Sequence, residues 1–171
     1  MSKVDFIYSK IKSLPEAIRE VEAWKLRNDK IVFTNGCFDI LHKGHILYLA
    51  KAAEKGNRMI VGINSDASVK RQGKGEERPI NDELARELVI ASLGFVDLVI
   101  LFQEDTPFDL IKHLQPDFLI KGADYDPSEE NQSSKKYIIG SDIVRSYGGK
   151  VEVIDLEAGY STTSIVVKLK G

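Results

Sequence analysis

The chain has a single cysteine, Cys37, and only three histidines. One thiol cannot close an intramolecular disulfide, so a cross-linked secreted scaffold is excluded and a reducing, cytoplasmic setting is expected. No apolar run approaches the roughly 18 residues of a membrane span, and the start, MSKVDFIYSK, lacks the apolar h-region of a secretory leader. An excess of positive charge is missing too. A formal net charge of −2 argues against nucleic acid or an anionic membrane as a partner, while leaving room for a local basic pocket. The glycine-rich phosphate signatures GxGxxG and GxxxxGK[ST] are both absent, which removes hydride transfer to NAD and P-loop chemistry from the candidates. A length of 171 residues suits one domain with a substantial core and is short for two.

What is present is an alternation of apolar runs and amphipathic segments. Residues 13–28 read as a helix: Ser13 and Glu16 have capping-box spacing, and Leu14, Ala17, Ile18, Val21 and Trp24 form one stripe, with Trp24 as a core anchor. Residues 1–28 are expected to form a helical segment packed on a domain of residues 29–171. Strands are predicted at 30–35, 58–64, 96–102, 117–121 and 150–156. Helices are predicted at about 44–55, from Asn81 or Asp82 to 93, from Thr106 and Pro107 to His113 (a helix-end residue), at 138–147 and from Ser164 onward. Residues 65–79 carry no periodicity and read as a loop; the polar stretch 124–136 reads as a mobile loop. Near-continuous apolar strands alternating with helices indicate a single-domain, Rossmann-like α/β fold, a five-stranded parallel sheet with helices on both faces. Ligands of such sheets sit beyond the carboxyl ends of the strands at the switch point.

The stretch TNGCFDILHKGH, residues 34–45, lies at that place and holds two of the three histidines. Gly36 after the strand and Gly44 before His45 allow a ligand close to the backbone. The free N–H groups of a helix's first turn favour an anion there, and imidazoles at 42 and 45 add donors. Three readings are open at this point: capping and packing alone, a zinc site from Cys37, Asp39, His42 and His45, and a phosphate site. Phosphate is favoured, because all four zinc ligands would have to come from one tight segment with no second cluster.

GCFDILHKGH resembles the GxFDxxHxGH signature of the cytidylyltransferase-like nucleotidyltransferases. With NSDASVKR, RPIN and YSTTSI following in order, the resemblance covers roughly residues 29–168 and is strongest to the bacterial branch that adenylylates D-glycero-D-manno-heptose 1-phosphate. It implies AMP transfer from ATP to that sugar 1-phosphate by in-line attack, giving ADP-heptose and pyrophosphate, with Mg²⁺ as cofactor. The alternative is a CTP-dependent enzyme acting on glycerol 3-phosphate or another alcohol phosphate. From a different class, the chain could keep the fold as a nucleotide sensor without turnover. The activity often forms half of a bifunctional sugar kinase–adenylyltransferase; the kinase half is not in this sequence, so a stand-alone form, a separate heptose kinase and a homodimer are expected.

The resemblance also implies roles for residues. His42 and His45 match the catalytic pair on the triphosphate, and Lys70 or Lys74 the phosphate-reaching lysine, against a reading as a solvated basic loop. Thr34, Asn35, Gly36, Cys37, Phe38, Asp39 and Gly44 are expected around the nucleotide, with Asp39 open between shaping the loop and a metal-linked role. Lys121, Gly122 and Asp124 are expected near base and ribose. Ser161, Thr162 and Thr163 form an N-cap that can also bind the outer phosphates. Asn64, Asp66, Arg78 and Arg86 are the candidates for the acceptor, Arg86 equally readable as a surface charge. Cys37 has no designated base, and the transfer needs no covalent intermediate.

Overall fold

Five strands, Ile31–Gly36 (β1), Arg58–Asn64 (β2), Leu98–Phe102 (β3), Phe118–Gly122 (β4) and Lys150–Ile154 (β5), lie parallel in the order β3-β2-β1-β4-β5 in a computed structural model of the chain. The structure describes every residue except Lys74, Glu76, Ala158, Ser161 and Gly171, and no side chain of Thr163, Ser164, Leu169 or Lys170. The strand order reverses between β1 and β4. A crevice therefore opens beyond Gly36 and Gly122, where the sequence pattern places the site.

Strand side chains alternate between the two faces of the sheet. Ile31 and Phe33 of β1 pack into one core with Val21 and Trp24 of α2 (Leu14–Leu26), Leu110 and Leu114 of α6 (Phe108–Leu114), and Val144 of α7 (Ser141–Ser146). Val32 points the other way, into a core with Tyr48 and Leu49 of α3 (Lys43–Ala53) and Ile90 of α5 (Glu83–Ala91). Both faces of β1 are thus covered, which is why its first half, Ile31 to Phe33, reads as an apolar run without alternation.

The structure adds to and corrects the expected elements. A six-residue helix, α1 (Lys3–Tyr8), precedes the expected one, held by a Ser2–Asp5 capping box. The segment after α1 runs along the edge of the sheet: Lys12 donates its N–H to the Val99 carbonyl, and Val99 donates to the Lys10 carbonyl, each at 2.9 Å. The region 65–79 is not all loop. It opens with α4 (Asp66–Arg71), where the Ser65 hydroxyl accepts the Ser68 N–H at 3.1 Å; six residues are too few to display a period. The helix expected over 138–147 is only Ser141–Ser146, because Gly140 sits at φ 82 directly before it. A Cβ on Gly140 would come 2.8 Å from Ile111, so both the angle and the contact demand glycine. The last helix, α8, is Thr162–Lys170 and begins two residues before the expected start at Ser164. Residues 124–136 contain no helix or strand. Their ends are joined by the Asp126 N–H on the Lys136 carbonyl at 3.0 Å, and the Arg145 guanidinium holds the Pro127 carbonyl.

Candidate active site

The chain leaves β1 through a turn that only certain residues can make. A Cβ on Gly36 would lie 3.0 Å from the Phe38 ring, and Phe38 itself adopts a left-handed φ of 48°. The turn ends at His42, the N-cap of α3, whose Nδ1 accepts the His45 N–H at 3.4 Å. With Nδ1 accepting, His42 carries its proton on Nε2, and its ring lies beside His45 without lining either of the two cavities described below. The His42 and His45 rings stack with centroids 3.8 Å apart and planes 20° from parallel. Gly44 is what permits this: a Cβ there would sit 3.0 Å from the His42 ring and 3.2 Å from Cβ of Tyr160.

Burial is the main force on the protonation of this pair. It pushes the His45 pKa down to about 4, helped by the neighbouring His42, and it lowers that of His42 as well. Both rings are therefore neutral at pH 7. Among the described residues, the buried His45 Nδ1 has no hydrogen-bond partner. A neutral, partly dehydrated imidazole pair at a helix N-terminus is poised to meet an anion.

Across the crevice, Lys121 at the end of β4 is 9% exposed. It donates to Asn35 Oδ1 at 2.6 Å, and its ammonium stands 5.3 Å above the Tyr125 ring. A cavity of about 440 Å³ joins His45, Arg78, Lys121, Asp124 and Thr162, with Asn35, Gly36, Cys37, Phe38, Asp39 and Gly122 also on its wall. Thr162 is the first residue of α8, so two helix N-termini converge there. A second cavity of about 430 Å³ shares Asn35, Gly36, Cys37, Lys121 and Tyr125 and extends to Asn64, Gln72, Asp105 and Thr106.

Thr34, behind these walls, and Asp39, on one of them, hold the neighbouring segments in place. Thr34 is fully buried, its hydroxyl 2.7 Å from that of Tyr48, which donates to the Ile120 carbonyl at 3.2 Å and so ties α3 to β1 and β4. Asp39 Oδ1 accepts the backbone N–H groups of Ile80 and Asn81 at 2.8 and 2.9 Å, and Oδ2 lies 3.1 Å from Nε of Arg78. Its carboxylate thus shapes the loop that carries Arg78 to the cavity. Among the described residues no three His, Cys, Asp or Glu side chains gather as metal ligands, and the zinc arrangement of Cys37, Asp39, His42 and His45 does not form.

Arg86 is neither a surface charge nor on either cavity wall. It is 1% exposed and donates to the Asn81 carbonyl at 3.1 Å, the Cys37 carbonyl at 2.8 Å and Asp66 Oδ1 at 2.7 Å. Asp66 and Arg86 are brought together, but as a bracket behind the β1–α3 turn. Lys70 is exposed in the last turn of α4 and lines neither cavity. Lys74, Ser161 and the side chain of Thr163 lie outside the described residues.

Residues that the sequence pattern does not single out also build the site. Lys43 bridges to Glu157 at 2.8 Å and stands 5.1 Å over the Tyr160 ring, which brings the β5–α8 connection onto the histidine turn. Tyr125, Gln72, Asp105 and Thr106 complete the walls. No motif marks Tyr125, Gln72 or Asp105, whose only available signal was a position within three residues of a strand or helix end, and Thr106 was legible only as part of a helix start. Trp24 is buried in the core, and the ring of His113 bonds the Asp109 carbonyl within α6. Among the described residues no helix is long and apolar enough to cross a membrane.

Residues 33–168 match the family model described as Cytidylyltransferase-like. The chain is 52% identical over 169 residues to a bifunctional protein HldE of Campylobacter jejuni, covering 99% of this chain and 33% of that protein. It is 48% identical over 161 residues to the bifunctional protein HldE of Geobacter metallireducens, covering 94% and 31%. It thus spans about a third of the length of these curated relatives. The crystal structure of a lipopolysaccharide core biosynthesis protein from Thermoplasma volcanium superposes with TM-score 0.57 at 28% identity, over 75% of this chain and 97% of that one. A pantoate-beta-alanine ligase from Francisella tularensis, at 14% identity and TM-score 0.59 over 94% and 76% of the two chains, shares the fold alone. With the family model covering most of its length and the HxGH pair stacked at the head of α3, the chain belongs to the cytidylyltransferase-like nucleotidyltransferases.

Proposed function

We propose that the chain transfers AMP from ATP to D-glycero-D-manno-heptose 1-phosphate, releasing pyrophosphate and ADP-heptose. The observation that carries this reading is His45, stacked on His42 and uncharged, on one cavity with Lys121 and the first turn of α8. In the reaction an acceptor phosphate oxygen forms a bond to the α-phosphorus as the bond from that phosphorus to the bridging oxygen breaks, and the electron pair leaves on pyrophosphate. The nucleophile is already an anion, so no general base is needed. The obstacle is charge repulsion, and positioned donors supply the answer. His42 and His45 donate to the outer phosphates, Thr162 and the α8 N-terminus hold the leaving end, and Lys121 and Arg78 offset charge around the α-phosphate. Similarity to relatives called bifunctional and to a lipopolysaccharide core biosynthesis protein supports a sugar-nucleotide product. A homodimer and a cytoplasmic location belong to the same reading.

Mg²⁺ fits this site as an escort of the triphosphate and not as an ion held by a protein cage. The Asp39 carboxylate is committed to the 78–81 loop, and the described residues offer no cluster of ligands. Such ions commonly bind through substrate phosphates with most of their waters kept. When bound, the ion supplies neutralisation of phosphate charge.

A pyrophosphate-release assay crossing ATP and CTP with heptose 1-phosphate and glycerol 3-phosphate tests the reading. Release is expected with ATP and heptose 1-phosphate. Release with CTP and glycerol 3-phosphate instead replaces it with the cytidylyltransferase alternative, and ATP binding with no release under any acceptor replaces it with a nucleotide sensor.

A further inference from the structure

The two cavities at the switch point are similar in size, about 440 and 430 Å³, and meet along a wall that includes Asn35, Cys37 and Lys121. Their other walls differ. His45 and Thr162 line only the first, while Gln72, Asp105, Thr106 and Tyr137 line only the second. An in-line displacement requires the nucleophile to enter opposite the leaving group. If pyrophosphate leaves from the end holding His45 and Thr162, the attacking oxygen comes across Lys121, out of the second cavity.

We infer that this second cavity reads the sugar of the acceptor, and that Gln72, Asp105, Thr106 and Tyr137, not Asp66 and Arg86, set acceptor choice. The inference rests on the proposed transfer, which fixes the leaving end. The wall chemistry suits a hydroxyl-rich ring. Asp105 is held by Arg71 Nε at 2.6 Å, and Asn64 donates to Ser68 Oγ at 3.1 Å, so both polar groups are oriented before a ligand arrives. Ser68 Oγ in turn donates to the Glu104 carbonyl at 2.9 Å, fastening α4 to the β3–α6 connection that carries Asp105 and Thr106. Tyr137 is buried and, with Pro107 and Ile139, gives an apolar side for the C–H face of a sugar. A pyranose with a side chain offers these groups more hydroxyls than a three-carbon phosphate with two.

Calorimetric binding of D-glycero-D-manno-heptose 1-phosphate, in the presence of an ATP analogue with a methylene group in place of the α–β bridging oxygen, separates this from the transfer reaction itself. Thr106→Val and Gln72→Leu are each expected to weaken sugar phosphate binding about tenfold or more, as for a polar group left without its partner, with analogue affinity within about twofold of wild type as the check on fold. Three results overturn the inference: unchanged sugar binding in both variants, weakening of the nucleotide analogue in place of the sugar, or wild-type affinity for glycerol 3-phosphate equal to that for the heptose. Absence of any sugar phosphate binding to the wild type also overturns it. Turnover with acceptor KM unmoved by either substitution sinks this inference alone. Tight, variant-sensitive sugar binding without pyrophosphate release upholds it while the transfer reading fails.

Discussion

The imidazoles of His42 and His45 lie face to face at 3.8 Å, and His42 Nδ1 accepts the backbone N–H of His45. Two stacked rings that close cannot both hold a proton cheaply in the absence of a counter-charge, because the like charges would repel and the inner ring is largely dehydrated. The pair is therefore neutral at pH 7. The same arrangement gives the protein an acid sensitivity.

That sensitivity has a defined sign. His45 titrates near about 4 in the folded chain against a usual 6.5, so between those values the unfolded chain holds more protons. Stability from this group is complete above the unfolded pKa and is lost as pH falls through the window toward about 4. In urea denaturation at a series of pH values, the wild type is expected to lose stability more steeply than His45→Gln across that window. Parallel curves for the two proteins would show that the ring is not buried neutral.

His45→Ala is expected to lower kcat by about 100-fold or more while circular dichroism and the urea midpoint at neutral pH stay close to wild type, the scale of losing one transition-state donor. His45→Asn, which keeps a short N–H donor, should recover part of the loss. A rate unchanged in His45→Ala would remove this residue from the chemistry.

Much of this was readable in the sequence because it is local. β1 and β2 are covered on both faces and so carry apolar stretches without alternation, and Gly36, His42, Gly44 and His45 fall within ten residues of one another. The unreadable parts are those that the sheet order brings together. Arg86 finds the Cys37 carbonyl 49 positions away, and Lys121 finds Asn35 across 86. Gln72 and Asp105 share a wall only because α4 and the β3–α6 connection both emerge at the carboxyl edge of the sheet. A single chain's periodicity reports which face is buried; it does not report which loop ends meet. Helices of six residues, such as α1 and α4, also fall below what periodicity can resolve.

Arg86 acts on the site from behind. Its guanidinium joins Asp66, the Asn81 carbonyl and the Cys37 carbonyl, three points on three different segments. Arg86→Met fills the space but strands these acceptors, and a loss of roughly 3 kcal/mol in unfolding free energy is expected, the scale of breaking a buried, hydrogen-bonded charge pair. Arg86→Lys should not restore it, because one ammonium cannot reproduce the planar fork. A urea midpoint unchanged in Arg86→Met would show that the bracket carries no stability.

The Lys43–Glu157 bridge invites the last test. At 2.8 Å it fastens the β5–α8 connection to the first residue of α3, and the same ammonium covers Tyr160, whose Cβ crowds Gly44. Hydrogen bonding to Lys43 holds the Glu157 carboxyl below its usual range, so the pair stays charged at neutral pH. Both side chains remain partly exposed, so the tie contributes little to overall stability and is screened by salt. Its effect falls instead on the distance between His45 and the Thr162 end of α8, two walls of the cavity proposed above to take the triphosphate. Glu157→Gln is therefore expected to raise KM for ATP about threefold at low ionic strength with kcat nearly unchanged, and the difference should fade in roughly 0.5 M salt as the wild-type pair is itself screened. The charge-reversed double variant Lys43→Glu with Glu157→Lys should recover part of the ATP affinity that either single change loses. Equal KM for wild type and Glu157→Gln at every salt concentration would mean that α8 is positioned by its apolar packing alone.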